Sequence, residues 1–310
     1  MQLNKIKVFA PASVANVSCG FDVLGFAMNN AGDTIVIDKN NSGKITIEPI
    51  DGPGNLSTDP DKNVCGVIAR AMLNKIKTKD GLNIHLTKGI LPGSGMGSSA
   101  ASSAATAFAI NELYDKPFSP KELIPFAMLG EELASGTPHA DNVAPAILGG
   151  FIAVRSYTPL DIIKIPVPKE LYSVVIHPKI ELKTELSRNI LKKQVDLKTA
   201  VKQWGNVAGL IAGLYSNNYE LIGNSLEDFI VEPSRSVLIP GFQEITNISK
   251  QSGALGCGIS GSGPSIFSLC KGKNIAENIA ENIKKIATNL NIPFDIHISK
   301  ISETGTRVIK

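Results

Sequence analysis

Four cysteines in 310 residues, none in a Cys-x-x-Cys pair and none beside paired histidines, leave no material for a disulfide framework or a thiolate zinc site. Cys19, Cys65, Cys257 and Cys270 are expected as reduced thiols, which fits a cytoplasm. Charge of one sign is lacking too. Lys and Arg number 31 against 28 Asp and Glu, and a net charge of +3 is too small to select nucleic acid or an anionic membrane. No basic stripe carries interleaved aromatics. The N-terminus has no signal-peptide apolar core, and no apolar run approaches the length of a membrane span. Repeats and low-complexity tracts are absent. The expectation is a cytoplasmic globular chain, 43% hydrophobic, long enough for one large or two medium domains.

What is present begins with Pro92-Gly93-Ser94-Gly95-Met96-Gly97-Ser98-Ser99-Ala100-Ala101-Ser102-Ser103. A strand pattern precedes it and an Ala-rich helix pattern follows. Alternating glycines ahead of a helix start leave backbone N–H groups bare, and the helix dipole adds positive potential there, which suits a polyphosphate. A hydroxyl at Ser98 or Ser99 could hold a magnesium ion bridging the phosphates. The P-loop pattern fails because no lysine stands before these serines. The dinucleotide fingerprint fails because Ser98 stands where Gly or Ala is wanted, and Asp115 follows the helix with no strand to present it. From this segment alone, small residues that merely allow close helix packing remain an alternative.

Strands are expected at Lys7–Ala10, Thr34–Ile37, Lys44–Ile47, Leu82–Leu86 and Phe151–Val154, the alternation at Leu82–Leu86 being the period of a half-buried strand. Helices are expected at Val64–Lys77, Ser99–Leu113 and Pro120–Leu133. The pattern breaks around Ser156–Pro159, where a domain boundary is placed. Beyond it come a strand at Ser173–His177, helices at Thr199–Tyr215 and Asn218–Ile230, and then strand, helix, strand over Ile266–Leu269, Ile275–Asn289 and Phe294–Ser299. This order predicts an α+β or mixed α/β chain in two facing domains.

Two further clusters frame the glycine loop. Ala10-Pro11-Ala12-Ser13-Val14-Ala15-Asn16-Val17-Ser18-Cys19-Gly20-Phe21-Asp22-Val23-Leu24-Gly25 stands before it and Gly253-Ala254-Leu255-Gly256-Cys257-Gly258-Ile259-Ser260-Gly261-Ser262-Gly263-Pro264-Ser265 after it. With the central loop, and in this order, they resemble the three motifs of the galactose–homoserine–mevalonate–phosphomevalonate (GHMP) kinase superfamily over nearly the whole chain. Gly136-Thr137-Pro138-His139-Ala140-Asp141-Asn142-Val143-Ala144-Pro145, followed by Gly149-Gly150, narrows the resemblance to the homoserine kinase family. So do the first motif carried through Gly20-Phe21-Asp22 and the ending Gly305-Thr306-Arg307-Val308.

The resemblance implies an α+β fold with an N-terminal ribosomal-S5-like domain and a C-terminal ferredoxin-like domain, here 1–157 and 158–310, with ATP and substrate between them and a homodimer. It implies phosphoryl transfer from ATP, with Mg2+, to the side-chain hydroxyl of L-homoserine for threonine synthesis. Neither nucleic acid nor membrane is an expected partner.

By the same resemblance Pro92, Gly93, Ser94, Gly95, Met96, Gly97, Ser98 and Ser99 wrap the triphosphate. Ser99 and Glu131 hold the metal, and Asn63 and Lys88 touch the nucleotide; a helix cap and a solvated strand end are the alternatives for the last two. Homoserine is a zwitterion. Arg188 and Arg235, in segments that match the family together with Thr184, can grip its carboxylate as planar forks. Asp22 suits the ammonium, and Asn16 and His139 supply neutral hydrogen bonds. Some superfamily kinases have an aspartate base near position 142; here Asn142 stands there. A loose transition state needs little help from a base, so direct attack is expected, with Asn142 orienting the hydroxyl. Asn142, Ser99 and Glu131 form the expected catalytic set. The rival readings are a mevalonate- or shikimate-type kinase, whose substrate has no ammonium for Asp22, and a non-catalytic nucleotide sensor, which would not need Ser99 and Glu131 together.

Overall fold

A computed structural model describes residues 3–180, 182, 184–290 and 292–310, and the side chains of all of these except 184, 185 and 287–290. The chain opens with two long strands, β1 (Lys5–Ala15) and β2 (Leu24–Asn40), followed by β3 (Ile45–Ile47), α1 (Val64–Ile76), β4 (Gly81–Thr87), α2 (Ser98–Leu113), α3 (Pro120–Ser135) and α4 (Ala140–Leu148). A hairpin of β5 (Phe151–Tyr157) and β6 (Leu160–Ile165) follows, then β7 (Leu171–Pro178), α5 (Thr184–Asn189), α6 (Leu197–Ser216), α7 (Tyr219–Asn224) and α8 (Glu232–Arg235). The chain closes with α9 (Phe242–Gln251), β8 (Gly256–Ile259), β9 (Ile266–Lys271), α10 (Lys273–Leu290), β10 (Phe294–Lys300) and β11 (Arg307–Val308).

The first sheet runs β11-β1-β2-β4-β3, with β5 pairing the near end of β2 and β6 pairing β5. Its pairs are antiparallel except β3 with β4. The second sheet runs β10-β7-β9-β8, antiparallel throughout. Its β-α-β-β-α-β course matches the expected ferredoxin-like arrangement, and the two sheets with their helices bear out the α+β expectation.

The division falls elsewhere than expected. Residues 157 and 158 lie at the tip of the β5–β6 hairpin, so the first sheet continues to Ile165. It also takes β11 from the C-terminus, where Val8 pairs Val308. Thr306 donates from its backbone N–H and its hydroxyl to Ala146 O at the end of α4, so the Gly305–Val308 motif ties the tail to the site domain.

The helix expected over Asn218–Ile230 stops at Asn224. Asp228 accounts for the break: its carboxylate accepts N–H bonds from Ile230, Val231 and Glu232 and the amide of Gln203, a local alternative that competes with helix continuation. Helix α4, marked only as a motif in the sequence, forms between Pro138 and Gly149 despite Pro145.

Helix α2 is the spine of the first domain. Its Ala and Ser side chains are almost all buried, and their small size lets α1, α3, α4, β1 and β2 all pack against it. At Gly130 of α3 a Cβ would stand 2.1 Å from Ser103 Oγ of α2. That close approach brings the next residue, Glu131, alongside the start of α2. Phe26 of β2 packs on Phe151 and edge-on against Phe267 of β9, with ring centroids 5.7 and 6.3 Å away, joining the two sheets through one apolar contact.

Candidate functional site

A cavity of about 360 Å3 lies where the glycine loop, the N-terminal motif, α3, α4 and α5 converge, within the range of small-ligand sites. Gly93, Gly95 and Gly97 all adopt positive φ, 73°, 79° and 66°. Gly97 is the decisive one: it is the N-cap of α2, and a Cβ there would also strike Ser13 Oγ at 2.1 Å. The loop is pinned from behind. Ser13 N–H donates to Met96 O (3.1 Å), Ser265 N–H to Ser94 O (3.3 Å) and the Ser260 hydroxyl to Gly95 O (2.7 Å).

Pro92, Gly93, Gly95, Gly97, Ser98 and Ser99 line the cavity, as expected. The side chains of Ser94 and Met96 are buried behind it, and the backbone carbonyls of both take the tethers just described. The Ser98 hydroxyl donates to Ile90 O at 2.9 Å, leaving Ser99 as the hydroxyl that faces Glu131. Glu131 is buried and its Oε1 has no hydrogen-bond partner among the described residues. Burial pushes its carboxyl up to about 7, partly opposed by the Ser99 hydroxyl and the charge of Lys88. A carboxylate and the serine hydroxyl bonded to it, together at the cavity wall, are a hard-oxygen donor set, which fits magnesium shared with phosphates.

Of the two expected nucleotide contacts, Asn63 lines the cavity and also caps a helix, whereas Lys88 is corrected. The Asn63 side chain caps α1, accepting from Cys65 N–H (2.9 Å) and donating to Ser57 O (2.7 Å). Lys88 borders the cavity but its ammonium is fully engaged: it ion-pairs with Asp33 and donates to Ser98 O and Ser102 Oγ, each at 2.9 Å. An ammonium has three donors, so none remains for a phosphate. The cap alternative holds for Asn63, and the solvated strand end does not hold for Lys88, which is buried.

The other end of the cavity carries the expected charged set. Arg188 forks onto Asp22, at 2.9 Å to Oδ1 and 3.4 Å to Oδ2. Arg235 is buried and has no carboxylate partner among the described residues; it donates to Ser187 O (2.8 Å) and Gly261 O (3.2 Å). Burial, with the charge of Arg188 beside it, lowers its guanidinium to about 10. Both guanidiniums lie over the Phe21 ring, 5.6 and 5.1 Å from its centroid. His139 Nδ1 is 3.8 Å from Asp22 Oδ1. Burial lowers its pKa further below neutrality, with both arginines adding to the shift and Asp22 opposing it, so the ring is neutral at neutral pH.

Asn16 lines the cavity while its amide also holds the turn beneath it: Nδ2 donates to Gly261 O (2.7 Å) and Oδ1 accepts from Asp22 N–H (3.0 Å), which uses one of its two N–H donors. These bonds hold a left-handed turn in which Asn16, Val17 and Ser18 have φ of 70°, 43° and 60°, a costly conformation for a β-branched residue. Asn142 lines the cavity with its Oδ1 accepting the Ser13 hydroxyl at 2.7 Å, which turns its NH2 inward. Thr184 begins α5, and its side chain lies outside the described residues.

Sequence reasoning passed over Asp141. It lines the cavity, is buried, and its Oδ1 has no hydrogen-bond partner among the described residues. Burial, then the charges of Asp22 and Glu131, push its carboxyl up to about 8, with Arg188 opposing. The signal was its place one residue before Asn142, at the start of a helix that the pattern did not reveal. Tyr157, which donates to Asp22 O (3.1 Å) and accepts from Ala140 N–H (3.3 Å), was also missed.

The GHMP kinases N terminal domain matches residues 63–150, and the GHMP kinases C terminal domain matches residues 210–288. The chain is 46% identical to a homoserine kinase of Chloroherpeton thalassium, over 99% of this chain and 100% of that one. It is 43% identical to one of Chlorobium phaeobacteroides, again over 99% and 100%. The crystal structure of homoserine kinase from Cytophaga hutchinsonii superposes with a TM-score of 0.97 at 50% identity, covering 100% of this chain and 98% of that chain.

Proposed function

The chain belongs to the homoserine kinases of the GHMP superfamily, and from that premise we propose how its own residues carry the reaction. The activity is ATP-dependent phosphorylation of the L-homoserine side-chain hydroxyl, giving O-phospho-L-homoserine for threonine synthesis.

The observation that carries the proposal is the Asp22–Arg188 pair with Arg235 unpaired beside it. Two guanidiniums and one carboxylate facing a cavity are the complement of a zwitterion. When homoserine enters, its ammonium takes Asp22 and its carboxylate takes Arg188 and Arg235, so one internal ion pair is exchanged for pairs to the ligand. A substrate with a carboxylate but no ammonium would break the same pair and strand Asp22, which disfavours mevalonate- and shikimate-type substrates. Asp141, neutral in the empty site at pH 7, ionises as the ammonium approaches.

The glycine-loop amides and the start of α2 cradle the triphosphate. Ser99 and Glu131 hold Mg2+, whose bound charge offsets that of the phosphate oxygens. Asn142, with its carbonyl committed to Ser13, donates from its NH2 to the substrate hydroxyl oxygen and fixes it in line for attack. The hydroxyl proton passes to an oxygen of the transferring phosphoryl group as ADP leaves, with no dedicated side-chain base. The proposal extends to a homodimer working in the cytoplasm, where four free, buried cysteines stay reduced.

The test is ADP release with Mg2+ and ATP in the presence of L-homoserine, D-homoserine, mevalonate or shikimate. Turnover on L-homoserine alone is expected. Turnover on another alcohol would discard the roles given to Asp22, Arg188 and Arg235.

A further inference from the structure

Helix α6 is apolar on two opposite faces. Its inner face, with Gln203, Leu210, Gly213 and Leu214 buried, joins Leu210 and Leu214 to the core. Its outer face carries Leu197, Val201, Trp204, Ala208, Ala212 and Tyr215, all exposed. These recur at intervals of four, three, four, four and three residues, so at 3.6 residues per turn they fall within a stripe about 80° wide along the helix. Leu197 is 70% exposed, Val201 54%, Trp204 60% and Tyr215 55%. These four side chains present on the order of 400–500 Å2, about half of the ~800 Å2 that each partner contributes to a stable interface.

We infer that α6 is where two copies of this chain pair, antiparallel, about a two-fold axis that passes beside Ala208. The inference rests on the homodimer reading above and names its surface. The order of side-chain sizes along the stripe selects the occupant. Two antiparallel helices crossing at Ala208 set Trp204 of each copy opposite Ala212 of the other, and Val201 opposite Tyr215. The large Trp204 meets the small Ala212, Tyr215 meets the smaller Val201, and the smallest pair, Ala208 on Ala208, sits on the axis where the helices come closest. Gly205 keeps the same region thin, with open space around its Cα. A parallel pairing would stack Trp204 on Trp204 and leave a gap between the alanines. Self-complementarity of this kind is what an isologous interface requires. The flank of the stripe carries Lys198 and Lys202, both exposed, as a polar rim.

The experiment uses the whole chain. Its single tryptophan is Trp204, so emission reports on this position alone, and its four native cysteines are buried, so an introduced thiol is the reactive one. Sedimentation should give a dimer with blue-shifted emission that turns red on dilution. Ala208→Glu should give a monomer that keeps its activity and its melting temperature. Mild oxidation should link Ala208→Cys to its own copy, because only a residue on the axis meets itself, and should not link Ala212→Cys.

A wild-type chain that is monomeric throughout would overturn both this inference and the homodimer reading. A dimer whose Trp204 emission stays that of exposed indole, with no link at Ala208→Cys, would keep the homodimer and overturn the α6 assignment. Linkage at both Ala208→Cys and Ala212→Cys would overturn the antiparallel register. A monomer that co-floats with phosphatidylcholine vesicles would overturn the pairing in favour of a lipid surface.

Discussion

Lys88→Met tests whether this lysine serves the nucleotide or the fold. Asp33 is fully buried. Its Oδ1 accepts Gly89 N–H at 3.0 Å, and its Oδ2 accepts the Ser102 hydroxyl at 2.7 Å and the Lys88 ammonium. Methionine replaces the aliphatic stem but removes the only cation in contact with this carboxylate among the described residues. Breaking a buried pair from one side costs about 3–5 kcal/mol, about a fifth or more of a typical folding free energy of roughly 5–15 kcal/mol. At about 2–4 °C per kcal/mol for a chain of this size class, the melting temperature should drop by about 6–20 °C. Urea denaturation of wild type, Lys88→Met, Asp33→Asn and the double variant gives the cycle, and the double variant should recover most of the loss because no charge is then stranded. ATP KM in the double variant should stay close to that of wild type. A Lys88→Met chain that unfolds within about 1 kcal/mol of wild type, with a raised ATP KM that Asp33→Asn does not repair, would refute the argument and restore a direct nucleotide contact.

Arg235→Ala leaves the substrate carboxylate one fork short in a dry pocket, at a cost of about 2–5 kcal/mol; homoserine KM should rise about 30-fold or more, and an unchanged KM removes Arg235 from the site. Asn142→Asp keeps an acceptor for Ser13 but loses the inward NH2, so turnover should fall at every pH; a gain on the alkaline side would argue for base catalysis. Asp141 titrates near 8 in the folded chain against an ordinary 3.8, so the folded state holds this proton more tightly. Its contribution to stability is full below about pH 4 and is lost as pH rises through about 8. Asp141→Asn, which stays neutral, should therefore gain on the ligand-free wild type in urea melts as pH rises from about 5 to 9, and parallel pH profiles for the two would rule out the shift.

Local pattern carried the elements whose own residues determine them. The alternation of Leu82–Leu86 and the glycine-to-serine start of α2 needed no knowledge of the rest of the chain. Register was not legible. Thr34 pairs Thr87, and that one fact puts Asp33 beside Lys88 across 55 residues of sequence. A strand-end lysine reads as solvated until the neighbouring strand is known. Asp22 and Arg188 lie 166 residues apart; each was assigned its charge role, yet their pairing in the empty site follows only from how α5 folds over the N-terminal turn. Asp141 was hidden differently, because Pro138 before α4 and Pro145 within it mask the helical period of that segment. The boundary at residue 157 failed because a hairpin turn and a domain linker share the same composition, here Ser156-Tyr157-Thr158-Pro159. The motifs gathered residue types that suit a zwitterion and a triphosphate. The tertiary contacts then decided which polar atoms remain free to meet a ligand and which are already spent holding the site together.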